Sequence, residues 1–397
     1  MIKDMDMWLI SALVVIGVAV APYIQPPWIL ALIVILISCI TYLIQKTKYS
    51  AIGIAIIAIL YGAGAMSLHV FSSTLVIVVL GEAAFRITGG TKRSYIAFIT
   101  ASTVSSLLVM QYLGYMEPLV AITGVLVAVL LKSALSTRYD ALMIECLGVA
   151  MTMYLFDEIN YQVDLTILLT AIIIGFSFGY FAYRAKTADL SGLFSGALIG
   201  ILLIVFADVR WFLVMLTFFI IGSVLTRYQF KNKIRLDVAE SHGGVRGYFN
   251  VFANGLVSAA AAVLYGITGD VMFIALFLGS VASAAADTAA SEVGVTGKKP
   301  YLITTLKEVP RGTNGGVTII GTVAAICAAF VIGMIAFLLN VADPGMVAVC
   351  TAAGFVGTTA DSLVGATLEN SGKIGNAGTN LLCTLTGGLF AMMFYLF

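Results

Sequence analysis

The chain has 397 residues, of which 61% are hydrophobic and only 10% charged, with a mean hydropathy of +1.06 and a formal net charge of +1. A soluble domain carries about 25% charged residues, so this composition excludes a water-soluble globular protein, and nothing in the charge balance calls for a nucleic-acid partner. Apolar runs near the ~20 residues that cross a bilayer recur from Trp8 to the C-terminus, without the ~10-residue alternating segments of a membrane barrel. The expected class is an all-α polytopic membrane protein.

Taken in order, the runs predict helices over 8–24, 28–45, 51–65, 68–85, 95–113, 118–135 and 141–156. Eight more follow over 165–183, 191–207, 211–225, 249–266, 271–288, 317–339, 345–365 and 379–396, about fifteen segments in all. The pair 51–65 and 68–85 reads equally as one helix broken at Gly62–Gly64. The first run, Leu9 to Val20, follows a polar start of mixed charge and has no small-residue cleavage site after it. It reads as a membrane helix rather than a signal peptide. All five cysteines lie in apolar runs without C-x-x-C spacing, which suits small packing residues better than ligands or disulfides.

Lys and Arg collect on the cytoplasmic side of membranes. With the N-terminus inside, every one of the 21 basic residues except Arg210 falls in an inner connection or, for Lys3, in the N-terminal segment, while the outer turns carry acids such as Glu117, Asp157, Asp208, Asp270 and Asp343. The expected location is therefore the cell membrane, with the N-terminus and the longest loops cytoplasmic. Residues 1–164 have short connections with few chemically suggestive groups and read as an N-terminal accessory region. Residues 165–397 have long inner loops and polar residues within apolar runs, and read as the catalytic module. Within it, Gly279–Asp287 (GSVASAAAD) and Gly354–Asp361 (GFVGTTAD) suggest parallel internal repeats, whose interface is a common place for a site.

Acids in membrane helices are costly and usually face a cavity or a partner. Asp287, Glu292, Asp361 and Glu369 all sit at or just beyond inner helix ends. They read either as a Mg²⁺ site, since Mg²⁺ takes a few carboxylates plus phosphate oxygens, or as solvated helix-end acids. Glu292 joins Asp287 only if the helix opens near Gly294. Between these acids lies Val309–Thr318, VPRGTNGGVT, read as a glycine-rich helix start with bare amides. There Arg311 and the amides of Gly312, Thr313, Asn314, Gly315 and Gly316 suit an anion, while Thr313 or Asn314 could instead cap the helix. Lys307 and Arg246 add positive charge, and Asn250 and Asn254 share a stripe where amides can hold a base or ribose. His242, beside Gly243–Gly244, is a candidate acid–base group, and His69 reads as a hydrogen-bonded packing residue. Asn376 and Asn380 read as caps or ligand contacts. No Gly-Lys-Ser or Gly-Lys-Thr follows the glycines, so a soluble P-loop is excluded.

Three motifs in this order carry a resemblance: Ala286-Asp287-Thr288 with Ser291-Glu292-Val293-Gly294; Pro310-Arg311-Gly312-Thr313-Asn314-Gly315-Gly316-Val317; and Asp361-Ser362 with Gly365-Ala366. From about Thr187 to Phe397 the chain resembles the integral-membrane family of plant phytyl-phosphate kinase and human transmembrane protein 19. The resemblance implies a prenyl-phosphate kinase that moves the γ-phosphoryl group of CTP or ATP, CTP favoured, to a membrane-embedded prenyl monophosphate. Catalytic roles then fall to Asp287, Arg311 and Asp361, metal binding to Asp287, Glu292 and Asp361, and phosphate binding to Lys307, Arg246 and the 312–316 amides. A CTP-dependent cytidylyltransferase acting on a lipid phosphate needs the same parts. A transporter of an anionic solute is the remaining alternative, although its polar groups belong near the midplane.

Overall fold

The computed structural model describes residues 2–44, 48–236 and 244–394. Among them the chain forms sixteen α-helices: α1 (Ile2–Val20), α2 (Pro27–Ile44), α3 (Lys48–Gly62), α4 (Leu68–Ile87), α5 (Ser94–Leu113), α6 (Pro118–Ala134), α7 (Ala141–Ile159), α8 (Leu165–Arg184), α9 (Leu190–Phe206), α10 (Val209–Arg227), α11 (Phe230–Arg235), α12 (Tyr248–Thr268), α13 (Met272–Gly294), α14 (Ile319–Leu338), α15 (Pro344–Val364) and α16 (Asn376–Met393). Two two-residue strands, β1 (Tyr301–Leu302) and β2 (Gly316–Val317), pair antiparallel. Eight helices are long and apolar enough to cross a membrane, and five shorter ones are similarly apolar. Their outer faces carry bare hydrocarbon, with Ile173, Phe181 and Leu338 each about two-thirds exposed, as lipid-facing surfaces require. The protein is an all-α polytopic membrane protein.

Each of the fifteen expected segments is a helix, and the 51–65 and 68–85 pair is two helices, α3 and α4. Two features differ from expectation. The short α11 interrupts what read as loop, and α13 runs six residues past 288 to Gly294.

The chain forms two compact units, Met1–Leu165 and Thr166–Phe397. In the first, α4 is largely buried. Its Glu82 pairs with Arg86 at 2.5 Å and also with Lys132 of α6, and Glu145 of α7 is buried with one carboxylate oxygen unpartnered. His69 is a packing residue held by Asp157 at 2.7 Å and stacked on Tyr115.

In the second unit α13 is the central helix, in contact with α10, α12, α14, α15 and α16. Small residues let the backbones meet, as is usual where lipid supplies no hydrophobic drive. A Cβ on Gly354 would lie 3.2 Å from the Ala282 carbonyl oxygen, and one on Gly279 only 2.5 Å from that of Gly387. Gly354 faces Ala282 and Ala286 while Gly357 faces Ser283, so α13 and α15 lie close along their length. On α14, Gly321 approaches Ala290 and Gly294, and Gly333 approaches Val347 and Cys350. Helix α14 therefore runs antiparallel to both α13 and α15. Helix α16 is antiparallel to α13, with Cys383 near Ser283 and Gly388 near Leu276. The ends of α13 and α15 and the starts of α14 and α16 consequently gather at one end of the bundle.

Candidate active site

At that end a cavity of about 660 Å³ opens, within the range that holds small-molecule ligands. Asp287 of α13 and Asp361 of α15 project into it, and their carboxylates lie with the Cys383 thiol inside one 4.8 Å group. The pairing follows from the close contact of α13 with α15, where Gly357 lies against Ser283, each four residues before its Asp. Glu369 lines the same wall and accepts a hydrogen bond from Thr379 at 3.1 Å. It sits on a π-turn, Gly365–Glu369, that continues α15.

The glycine-rich stretch faces these acids, but it is not a helix start. Gly312 and Gly315 take φ of +81° and +78°, a left-handed backbone that suits glycine. Residues 316–317 are strand β2, with Tyr301 opposite Val317 and Leu302 opposite Gly316. Helix α14 begins only at Ile319 and is capped by Thr318, whose hydroxyl accepts from the Gly321 N–H at 3.1 Å. Neither Thr313 nor Asn314 caps it. Thr313 instead donates to the Pro310 carbonyl at 2.8 Å.

Glycine also fixes where this loop sits. A Cβ on Gly315 would lie 2.6 Å from the Ser362 carbonyl oxygen and 2.5 Å from the Ala366 Cβ, and Asn370 donates to the Asn314 carbonyl at 3.3 Å. Backbone meets backbone, so the loop is seated on the turn of α15 that follows Asp361. Arg311 lines the cavity and gives two N–H groups to the Gly297 carbonyl at 2.7 and 3.2 Å, which closes the 297–311 loop on itself.

Arg246, Asn250 and Asn254 also line the cavity. Arg246 is buried, with its backbone paired to the segment between α8 and α9 through Thr187 and Asp189. Asn254 donates to the Asn250 carbonyl at 2.9 Å. Asn376 and Asn380 also line the cavity, and α16 takes Gly375 rather than either Asn as its N-cap.

Other candidates fall elsewhere. Lys307 is exposed and outside the cavity wall, as are the exposed Lys298 and Lys299. His242 lies outside the described residues. Glu292 lines the cavity, but α13 stays helical through it and its carboxylate is bound by Lys233 at 2.5 Å rather than grouped with Asp287 and Asp361. Lys233 is almost wholly buried and also donates to the Leu225 and Thr226 carbonyls at the end of α10. The sequence read Lys233 only as loop charge. Its sole signal was a lysine three residues before Leu236 and seven to eight after the end carbonyls of an apolar run. Thr288 and Thr318, within the quoted motifs, also border the site, as do Cys383 and Thr358, which sequence spacing did not give away.

The residues fit a hard divalent cation. Two carboxylates this close repel each other, and Asp361 Oδ1 is buried without a hydrogen-bond partner, leaving an oxygen donor available. Cys383 fits less well as a ligand: it lies 3.7 Å from the Ser283 carbonyl as a thiol donor, and Mg²⁺ prefers oxygen.

Fold and site together define an integral membrane protein with a carboxylate- and arginine-lined cavity at one end of an apolar bundle. Residues 173–388 match the family described as Integral membrane protein DUF92, and the chain belongs to it. It is 34% identical over 239 residues to an uncharacterized membrane protein of Methanocaldococcus jannaschii, covering 60% of this chain and 98% of that one. Two Arabidopsis thaliana proteins are also similar. Protein PGR is 31% identical over 52% of this chain and 80% of its own length, and the chloroplastic protein VTE6 is 32% identical over 40% and 50%. No solved structure matches.

Proposed function

We propose that this protein is a prenyl-phosphate kinase, transferring the γ-phosphoryl group of CTP or ATP, CTP favoured, to the phosphate of a membrane-embedded prenyl monophosphate. The observation that carries this reading is the juxtaposition, in one cavity, of the Asp287–Asp361 pair with the Arg311 loop and Arg246. Phosphoryl transfer needs positioning and charge neutralisation more than covalent chemistry. A phosphate acceptor is already nucleophilic, so the site needs no general base. That agrees with a cavity wall without histidine among the described residues.

In this reading Asp287 and Asp361 hold Mg²⁺, which when bound would neutralise charge on the transferring phosphate. Arg311 and the 312–316 amides grip donor phosphates, a task that suits a planar guanidinium. Arg246 faces the acceptor phosphate, and Asn250, Asn254, Asn376 and Asn380 offer amides to a base or ribose. Glu292 acts at one remove, by fixing α11 against the end of α13. The membership in a family that resembles phytyl-phosphate kinase supports the acceptor class. The polar groups gather at one end of the bundle rather than midway along it, which disfavours a transporter.

The test is product analysis. Purified protein is incubated with Mg²⁺, CTP and geranylgeranyl monophosphate. Geranylgeranyl diphosphate plus CDP supports the kinase. A CDP-lipid plus pyrophosphate identifies a cytidylyltransferase instead, and no consumption of either substrate rejects both.

A further inference from the structure

Beside the polar cavity lies a second, narrow cleft of about 60 Å³, walled by α8, α9, α10 and α12. Its lining is almost wholly apolar, except that Arg246, Asn250 and Asn254 line both spaces. The mouth of the cleft is thus the wall of the polar cavity.

Three glycines on one stripe of α9, Gly192, Gly196 and Gly200, border the cleft, and they do different things. A Cβ on Gly192 would lie 2.2 Å from the Arg246 carbonyl oxygen, and one on Gly200 3.1 Å from the Phe212 ring, so both serve close packing. A Cβ on Gly196 would meet only Phe178, at 3.8 Å. Its missing side chain leaves room instead of making a contact. The wall it faces is stiff, since Phe178 packs edge-on against Phe212 and Phe219 at centroid distances of 5.7 and 4.9 Å.

Arg246 marks the boundary. Its guanidinium lies 5.4 Å from the ring centroids of both Phe218 and Phe219. Gly222 of α10 gives it space, because a Cβ there would sit 2.2 Å from Nη2. A positive charge held on aromatic rings, with hydrocarbon on one side and the polar cavity on the other, complements an anion that carries an apolar chain.

We propose that this cleft seats the phosphate-proximal end of the lipid acceptor's hydrocarbon chain, with the phosphate turned toward Arg246 and Asn250. The inference rests on the prenyl-phosphate reading of the polar cavity and adds where the lipid lies. At roughly 10–15 Å³ of such space per water, the cleft holds the equivalent of about five waters, on the order of one isoprene unit. The rest of the chain lies in the bilayer between helices. The site therefore reads the first unit of the chain and is nearly indifferent to length beyond it.

The full-length protein in lipid nanodiscs is photolabelled with a prenyl monophosphate bearing a diazirine on its first isoprene unit, and labelled peptides are mapped by mass spectrometry. Label is expected on α9 and α10 around Gly196 and Met215. Gly196→Leu, which fills the cleft, should cut it at least fivefold and raise KM for geranylgeranyl monophosphate, with KM for the nucleotide unmoved. Gly196→Ala should cut it less. Label confined to other helices overturns the proposal, as does full labelling of folded Gly196→Leu or displacement of the probe by inorganic phosphate as readily as by geranylgeranyl monophosphate. If Gly196→Leu does not fold, the parent's label map decides alone. Labelling of the cleft without any phosphoryl transfer would sink the kinase reading and leave the cleft assignment standing. Transfer with label elsewhere would do the reverse.

Discussion

Removing the Lys233 ammonium separates the two roles open to Glu292. Lys233 is 1% exposed as a side chain and Glu292 12%, with 2.5 Å between Nζ and Oε2, so solvent screens the pair little. Lys233→Met leaves the carboxylate buried and unpaired, a loss of about 3–5 kcal/mol. Glu292→Gln is milder. Lys233 keeps the Leu225 and Thr226 carbonyls, and the C-terminal end of α10 favours a cation. That change costs about 1.5–3 kcal/mol, the worth of a hydrogen bond to a charged group. Combining the two removes the orphaned charge, so the double variant should be more stable than Lys233→Met alone, which requires a coupling larger than the Glu292→Gln cost, about 3 kcal/mol, at the top of the range for residues in contact. Thermal unfolding in detergent, followed by loss of the monodisperse species, gives the order: parent, Glu292→Gln, double variant, Lys233→Met. A double variant no more stable than Lys233→Met would show that the orphaned Glu292 carboxylate is not what destabilises Lys233→Met. Unchanged stability in Glu292→Gln with loss of Mg²⁺ dependence would return Glu292 to the metal site.

Gly315→Ala combines a left-handed backbone, about 1–2 kcal/mol for a residue with a Cβ, with three Cβ contacts below 3 Å on Ser362 and Ala366. The folded protein should lose at least tenfold in kcat/KM for phosphoryl transfer, and parent-like kinetics would show that the loop is not seated as described. Arg311→Lys keeps the charge but loses the planar fork, so KM for the nucleotide should rise severalfold while thermal stability changes little. Thr318→Ala removes the cap of α14 and should cost about 1 kcal/mol. Thr318→Ser should recover it, as measured by thermal unfolding. In Asp361→Asn, Mn²⁺ binding followed by electron paramagnetic resonance should weaken at least tenfold, and unchanged binding would remove Asp361 from the metal site.

The helices were legible because each apolar run is close to one membrane crossing and is bounded by charge or glycine. The end of α13 was not. Thr288–Gly294 is small and polar, so hydropathy stops at 288, yet these residues tolerate a helix and Gly294 and Gly321 let α14 pack on it. Helix α11 was hidden because a lysine normally reads as solvated, whereas Lys233 is buried by an acid 59 residues away and the end carbonyls of α10. Asp287 and Asp361 stood out because acids in apolar runs need a reason. That they meet depends on glycine and alanine contacts along α13 and α15, which spacing within either helix does not encode. The glycine-rich loop was visible, but its shape was misread. A run of glycines before an apolar stretch looks like a helix start, and the β1 pairing that claims Gly316 and Val317 lies fifteen residues upstream.

In the proposed reaction Asp287 and Asp361 together serve phosphoryl transfer to a lipid phosphate. Transfer of label from γ-labelled CTP or ATP to phytyl monophosphate tests it, comparing the parent with Asp287→Asn and Asp361→Asn, each shown to be folded. Mg²⁺-dependent labelled diphosphate is expected from the parent, with a loss of at least a hundredfold in both variants. No labelled product from the parent, or parent-like rates in either variant, would contradict this expectation.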